Sequence, residues 1–222
     1  MTVVRAGRIS GVVGRLASVP RPASSNLRAY HQAICRLSDA VPAILPVRFG
    51  TTLRSEAEVV MLLQARSESL RTALARVRRR VQMTARFVHS DTRGAEAEVT
   101  APAAVRSSGT AYLQSRAKAA RRLATWEPCV ELGRVAQRWI KAESIDERHG
   151  VVSVYHLVPR GAVAAYRRAV DAGTFTTRPQ VTGPFPPFAF ADALSAALPM
   201  LLQKPAGVAE PRGTTRGRVN RG

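Results

Sequence analysis

Residues Gly183-Pro184-Phe185-Pro186-Pro187-Phe188-Ala189-Phe190 restrict the chain more than any other stretch. Gly183 opens backbone angles closed to other residues, while Pro184, Pro186 and Pro187 fix an extended path that cannot sit inside a sheet. Three phenylalanines on so stiff a chain must be buried somewhere. They can cap the core of their own domain or present a docking surface to another protein, and both hold if the prolines fold the rings back and leave an apolar rim.

The rest of the chain has enough apolar matter to receive them. Of 222 residues 45% are hydrophobic, which suits one large domain or two small ones. Lys+Arg number 34 against Asp+Glu 15, a net charge of +19, so attraction to an anionic surface is physically available. Lys118, Lys141 and Lys204 are the only lysines; the charge is carried by arginine and reads first as a solvated basic surface. Cys35 and Cys129 are too far apart for a disulfide framework or a paired metal motif, which points to a reducing cytoplasm. Arg15 interrupts the nearest approach to a signal core, and no window has the ~18 consecutive apolar residues of a spanning helix.

Periodicity supplies the elements. Residues 1 to 24 are weakly patterned, with a short amphipathic stretch from Ile9 to Val19. A helix is expected from Ser25 to Ala40, capped by Ser25 or Asn26, and a buried or edge strand over Val41 to Phe49. Val59, Leu63, Leu70, Leu74, Val77 and Val81 mark one long basic amphipathic helix from Ser55 to Arg79, opened by a Ser55/Glu58 capping box. Alternation from Val81 to Val88 predicts a half-buried strand. Residues 89 to 109 read as a loop and the domain boundary. Helices near Thr110 to Leu123 and Val130 to Ile140 suggest a hairpin, followed by a strand at Val151 to Val158, a helix at Gly161 to Asp171 and a strand at Thr176 to Val181. The tail after Pro199, with Arg212, Arg216, Arg218 and Arg221, is expected to be disordered.

Catalytic and metal chemistry find no positive support. His31 and Cys35 lie one helical turn apart, but no second pair completes a tetrahedral set. His89 with Asp91 and Glu147 with His149 lack a nucleophile in motif context, and Arg48-Phe49-Gly50 lacks the glycines and lysine of a phosphate loop. No cofactor is implied. For nucleic acid the only argument is basicity, since zinc-finger spacing and an aromatic stacking platform are missing.

Three separated blocks resemble the GvpL/GvpF family of gas vesicle proteins. The first is His31 with Ile44-Leu45-Pro46-Val47-Arg48-Phe49-Gly50-Thr51, the long helix and the Val81 to Val88 strand. The second is Gly109-Thr110-Ala111-Tyr112-Leu113, and the third is Val151 to Val158 with Gly183 to Phe190. Together they span roughly residues 10 to 192. The chain departs from the family pattern in three ways. No strand is expected before residues 8 to 20, where the family has one, Gln82 replaces a glutamate that could have faced Arg48, and Phe185, Phe188 and Ala189 replace the usual Trp, Tyr and Ser.

The resemblance implies a two-domain α+β protein. It has an N-terminal α+β domain (1–90), a linker (91–109), a modified ferredoxin-like domain with a helical hairpin (110–198), and the tail (199–222). It implies an accessory or minor structural role in gas vesicle formation, in the cytoplasm and at the vesicle shell, with the major shell protein and other gas vesicle proteins as partners and no catalysis. The interaction residues it marks are Pro46, Arg48, Phe49, Gly50, Tyr112, Leu113, Gly183, Pro184, Phe185, Pro186, Pro187, Phe188 and Phe190. A nucleic-acid-binding protein acting through its arginines is the alternative.

Overall fold

The first residues form a β-hairpin, in a computed structural model that describes residues 1–88, 123, 125–148 and 150–191. Strand β1 (Thr2–Ala6) pairs antiparallel with β2 (Ile9–Val13) around a two-residue turn in which Gly7 takes φ +61°. The expectation that no strand precedes residues 8 to 20 is thereby corrected. Five-residue strands carry too few alternations to stand out, yet Val4, Ala6 and Ile9 do point inward while Val3 and Arg5 point out.

Helix α1 (Ser24–Ala40) matches its expected span, although neither Ser25 nor Asn26 caps it: the cap position is Ala23, and Asn26 instead donates to the Arg21 carbonyl at 3.0 Å. Residues 41 to 49 form no strand. Pro42 and Pro46 remove two amides that a ladder would need, and the segment's carbonyls are taken up singly. Pro42 O accepts from Arg79 N at 2.7 Å, and Val47 O accepts from the Tyr30 hydroxyl.

The long helix is two helices, α2 (Glu56–Ala65) and α3 (Ser67–Val77), broken at Arg66 with φ −115° and ψ 15°. The apolar stripe keeps its phase across the break, so the periodicity could not reveal it. Ser55 caps α2 by accepting from Glu58 N at 3.2 Å, worth about 1 kcal/mol. Glu58 returns its carboxylate to the amide of Arg54 rather than Ser55.

After a turn in which Arg79 adopts φ +54°, β3 (Arg80–Val88) enters a four-stranded antiparallel sheet. Helix α4 (Glu127–Ala136) carries Pro128 in its first turn and runs into a 3-10 turn at Gln137–Trp139. Strands β4 (Ala142–Arg148) and β5 (Val151–Pro159), helix α5 (Val163–Ala172) and strand β6 (Gln180–Phe185) complete the order β4-β5-β3-β6. Because β3 lies between β5 and β6, a boundary after residue 90 would separate strands that pair. The expected linker, the helix from Thr110 and the tail lie outside the described residues.

Strand β4 was not anticipated: four of its seven residues are charged, which hides its alternation. Strand β6 begins later than expected because Thr176 gives its amide and hydroxyl to Glu131 of α4, at 3.0 and 2.8 Å.

The sheet is covered on both faces. Met83, Ala85, Phe87, Val152, Val154 and Val158 pack on Leu132 and Ala136 of α4 and on Tyr166 and Val170 of α5. Leu157, from the opposite face, joins a second core with Val4, Ile9, Leu63, Leu70, Val77 and Phe190. Each such side chain contributes roughly 1.5–3 kcal/mol on burial, and the second core is what joins the N-terminal elements to the sheet.

Candidate protein-interaction site

Gly183 to Phe190 starts as a strand and ends as a turn. Thr182 still faces Thr84 on β3; a bulge follows, and Phe185 faces Gln82. The proline-rich block thus begins inside a sheet, which corrects the expectation that it could not. The sheet tolerates Pro184 because β6 is an edge strand. Gly183 has φ +115°, and a Cβ there would lie 2.8 Å from Gln82 O and 3.2 Å from Met83 Sδ, so no larger residue fits. Its carbonyl accepts from Arg167 of α5.

Pro186 and Pro187 are buried, and the chain then tightens into a 3-10 turn, with Phe188 N on Pro186 O at 2.7 Å and Phe190 N on Pro187 O at 3.1 Å. Ala189 N donates to Gln82 Oε1 at 2.8 Å, and Gln82 Nε2 donates to Thr84 Oγ1 at 3.2 Å. Gln82 therefore turns to the proline block rather than to Arg48, and both ends of its buried amide are satisfied.

The three phenylalanines part company here. Phe190 is buried among the N-terminal core residues, with the Arg76 guanidinium 5.4 Å from its ring centre. Phe185 and Phe188 are only half-buried and meet His31 of α1 at centroid distances of 6.2 and 5.8 Å, the latter nearly parallel at 22°. The neighbouring Tyr30 meets Phe49 edge-on at 5.5 Å, and burial pushes its phenol pKa up. Two adjacent residues of one helix thus gather the Pro46 to Gly50 block and the Gly183 to Phe190 block onto one surface. Pro46 is buried beneath it, while Arg48 and Gly50 are exposed. Tyr112 and Leu113 lie outside the described residues.

His31 and Cys35 do share a helix face, with Sγ 3.5 Å from Nε2. Among the described residues no group of three or more His, Cys, Asp or Glu could hold a metal. Burial and then the charge of Asp39 raise the Cys35 thiol. Sequence reasoning missed a second polar cluster under the sheet. His156 of β5, fully buried, lies 2.9 Å from both Tyr166 Oη and Glu143 Oε2. As a carboxylate only accepts, Nε2–H donates to Glu143, and Nδ1 faces the Tyr166 hydroxyl. Burial, then Glu143, pushes the Tyr166 phenol far above its ordinary range. The sole sequence signal was His156 in phase with Val152, Val154 and Val158 on the apolar face of β5.

The surface at α1 therefore consists of aromatic rings, prolines, one imidazole and arginines on a mixed α+β frame, a composition suited to binding another macromolecule. Comparison with known proteins gives it a context. The family model described as "Gas vesicle synthesis protein GvpL/GvpF" matches residues 1–192, and the chain belongs to that family. Two solved structures share the fold. The gas vesicle protein GvpF from Microcystis aeruginosa aligns with TM-score 0.61 and 10% identity over 85% of this chain and 87% of that one. GvpF from Anabaena sp. PCC7120 aligns with TM-score 0.55 and 13% identity over 86% and 91%. No curated protein sequence matches. Membership implies a role in gas vesicle formation, in a family of structural rather than enzymatic proteins. No helix among the described residues is long and apolar enough to cross a membrane.

Proposed function

We propose that this chain is a non-catalytic accessory or minor structural component of gas vesicles, binding the major shell protein and other gas vesicle proteins during nucleation or assembly. Its place is the cytoplasm and the vesicle shell. The observation that carries this reading is the half-exposed stack of Phe185, His31 and Phe188, an apolar surface continued by Phe49 against the neighbouring Tyr30. Half-buried aromatic rings held by a stiff backbone lose little freedom on binding, as docking anchors require. Buried Pro46, Pro186, Pro187 and Phe190 support the surface, Gly183 and the exposed Pro184 set the path of its backbone, and Tyr112 and Leu113 belong to the same set of interaction residues.

The architecture we assign is two units: an N-terminal one up to α3 and a ferredoxin-like one that starts at β3, earlier than the sequence suggested. What supports it is the succession β3-α4-β4-β5-α5-β6 with spatial order β4-β5-β3-β6.

Capture of the purified major shell protein by the full chain tests the function. Phe185→Ser/Phe188→Ser and, separately, His31→Ala should each weaken capture at least about tenfold. Because the phenylalanines also pack on α1, circular dichroism must first show native helix content. His31, exposed on its helix, provides a variant that leaves the core untouched. Undiminished capture by both folded variants would remove the docking role.

A further inference from the structure

We infer that the β1–β2 hairpin is a second interaction surface, which takes an acidic, extended segment of another protein as a third strand. It is separate from the Phe185–His31–Phe188 surface and stands without it.

The two sheets treat their edges differently. In the four-stranded sheet, edge strand β4 bears Glu143, Asp146, Glu147 and Arg148, and edge strand β6 carries a bulge and the exposed Pro184. These are the devices by which proteins prevent unwanted strand pairing. The hairpin has neither a bulge nor a proline. Its strands read Thr-Val-Val-Arg-Ala and Ile-Ser-Gly-Val-Val, with one charge and no proline, and among the described residues no third strand pairs with either.

Its outer face carries an apolar pair beside Arg5 and Ser10. Val3 and Val12 sit directly opposite each other and are 56% and 43% exposed, whereas Val4, Ala6 and Ile9 on the inner face are buried. Five of the nine exposed large apolar side chains among the described residues fall in the first nineteen positions: Met1, Val3, Val12, Leu16 and Val19. On the hairpin itself Val3 and Val12 form the adjacent exposed pair that a partner strand would cover.

Charge selects the occupant. No acidic residue precedes Asp39, whereas Arg5 and Arg8 are exposed on the hairpin. A second copy would bring the same arginines and another net +19, so it is disfavoured. An acidic strand satisfies both features when its apolar and acidic residues alternate along one face: its backbone completes the ladder, an apolar side chain extends the Val3–Val12 row, and a carboxylate two residues on lies beside Arg5.

The probe is a labelled ten-residue peptide in which valine and glutamate alternate along one face with threonine on the other, titrated into the full chain by fluorescence anisotropy. A control peptide has prolines at two valine positions. The alternating peptide should bind and slow amide deuterium exchange within residues 2–13, while the proline peptide should not bind. Val3→Ser/Val12→Ser and Arg5→Gln/Arg8→Gln should each weaken binding about tenfold, and only the arginine variant should flatten the salt dependence. Equal binding of the proline peptide would reduce the effect to charge, and undiminished binding by both variants would place it elsewhere. A dimer dissociated by Val3→Ser/Val12→Ser would make the occupant a second copy. Each of these results overturns the proposal.

Discussion

The side-chain carbonyl of Gln82, on inner strand β3, accepts the backbone N–H of Ala189 at 2.8 Å and so ties the centre of the sheet to the turn after the proline block. Replacing Gln82 by Ala leaves that amide without its partner in a part-buried position. The expected loss is about 1–3 kcal/mol in urea unfolding, with an unchanged denaturant slope. Gln82→Glu keeps the acceptor for Ala189 and gives up the donor to Thr84, so it should cost less than Gln82→Ala.

Two glycines should respond in opposite directions. Gly183→Ala places a Cβ 2.8 Å from Gln82 O at φ +115° and should destabilise by roughly 1–3 kcal/mol. Gly133, inside α4, has open space where its Cβ would go. Gly133→Ala should therefore stabilise by up to about 1 kcal/mol, seen as a higher melting temperature.

Stability should fall in alkali. Burial, and after it the Glu143 carboxylate, pushes the Cys129 thiol from its ordinary 9.0 up to about 12. Above pH 9 the unfolded chain releases this proton while the folded chain holds it. The stabilisation is therefore complete below pH 9 and is lost as pH rises towards 12. Tyr166, also raised, adds to the decline above pH 10. Urea midpoints from pH 8 to 11 should show the fall, and Cys129→Ala should make it shallower.

Arg160 closes the C-terminal end of α1. Its Nη2 donates to the carbonyl of Ser38 and reaches Ser38 Oγ at 3.3 Å and Val41 O at 3.5 Å. A cation at the last carbonyls of a helix also offsets the negative end of its dipole. Arg160→Ala should cost about 1–3 kcal/mol and speed amide exchange in the last turn of α1, with little change in β5.

Where a segment interacts mainly within itself, the sequence was informative. Helices α1 and α5 and strands β3 and β5 fall close to their expected spans, because each carries its own apolar period over enough residues. The break at Arg66, strand β4 and the late start of β6 were illegible: the apolar stripe runs unbroken through the first, charge hides the alternation of the second, and the third is decided by a partner distant in sequence, Glu131 for Thr176. At the site, the stiffness of Gly183 to Phe190 was readable, as was the choice its phenylalanines faced. Their division between a core ring, Phe190, and two rings on His31 was not, since it depends on where α1 lies. Gln82 was read by its lost charge, yet its amide matters through the hydrogen bonds it makes at both ends.

The place of β3 between β5 and β6 also has a consequence for synthesis. Its partners lie beyond residue 150, so at roughly 5–20 residues per second β3 emerges from the ribosome seconds before either neighbour. Throughout that delay Met83, Ala85 and Phe87 form an unpaired apolar ribbon on a nascent chain. Whatever shields that ribbon during translation, a chaperone or the already folded N-terminal helices, governs how much of the protein reaches the cell intact.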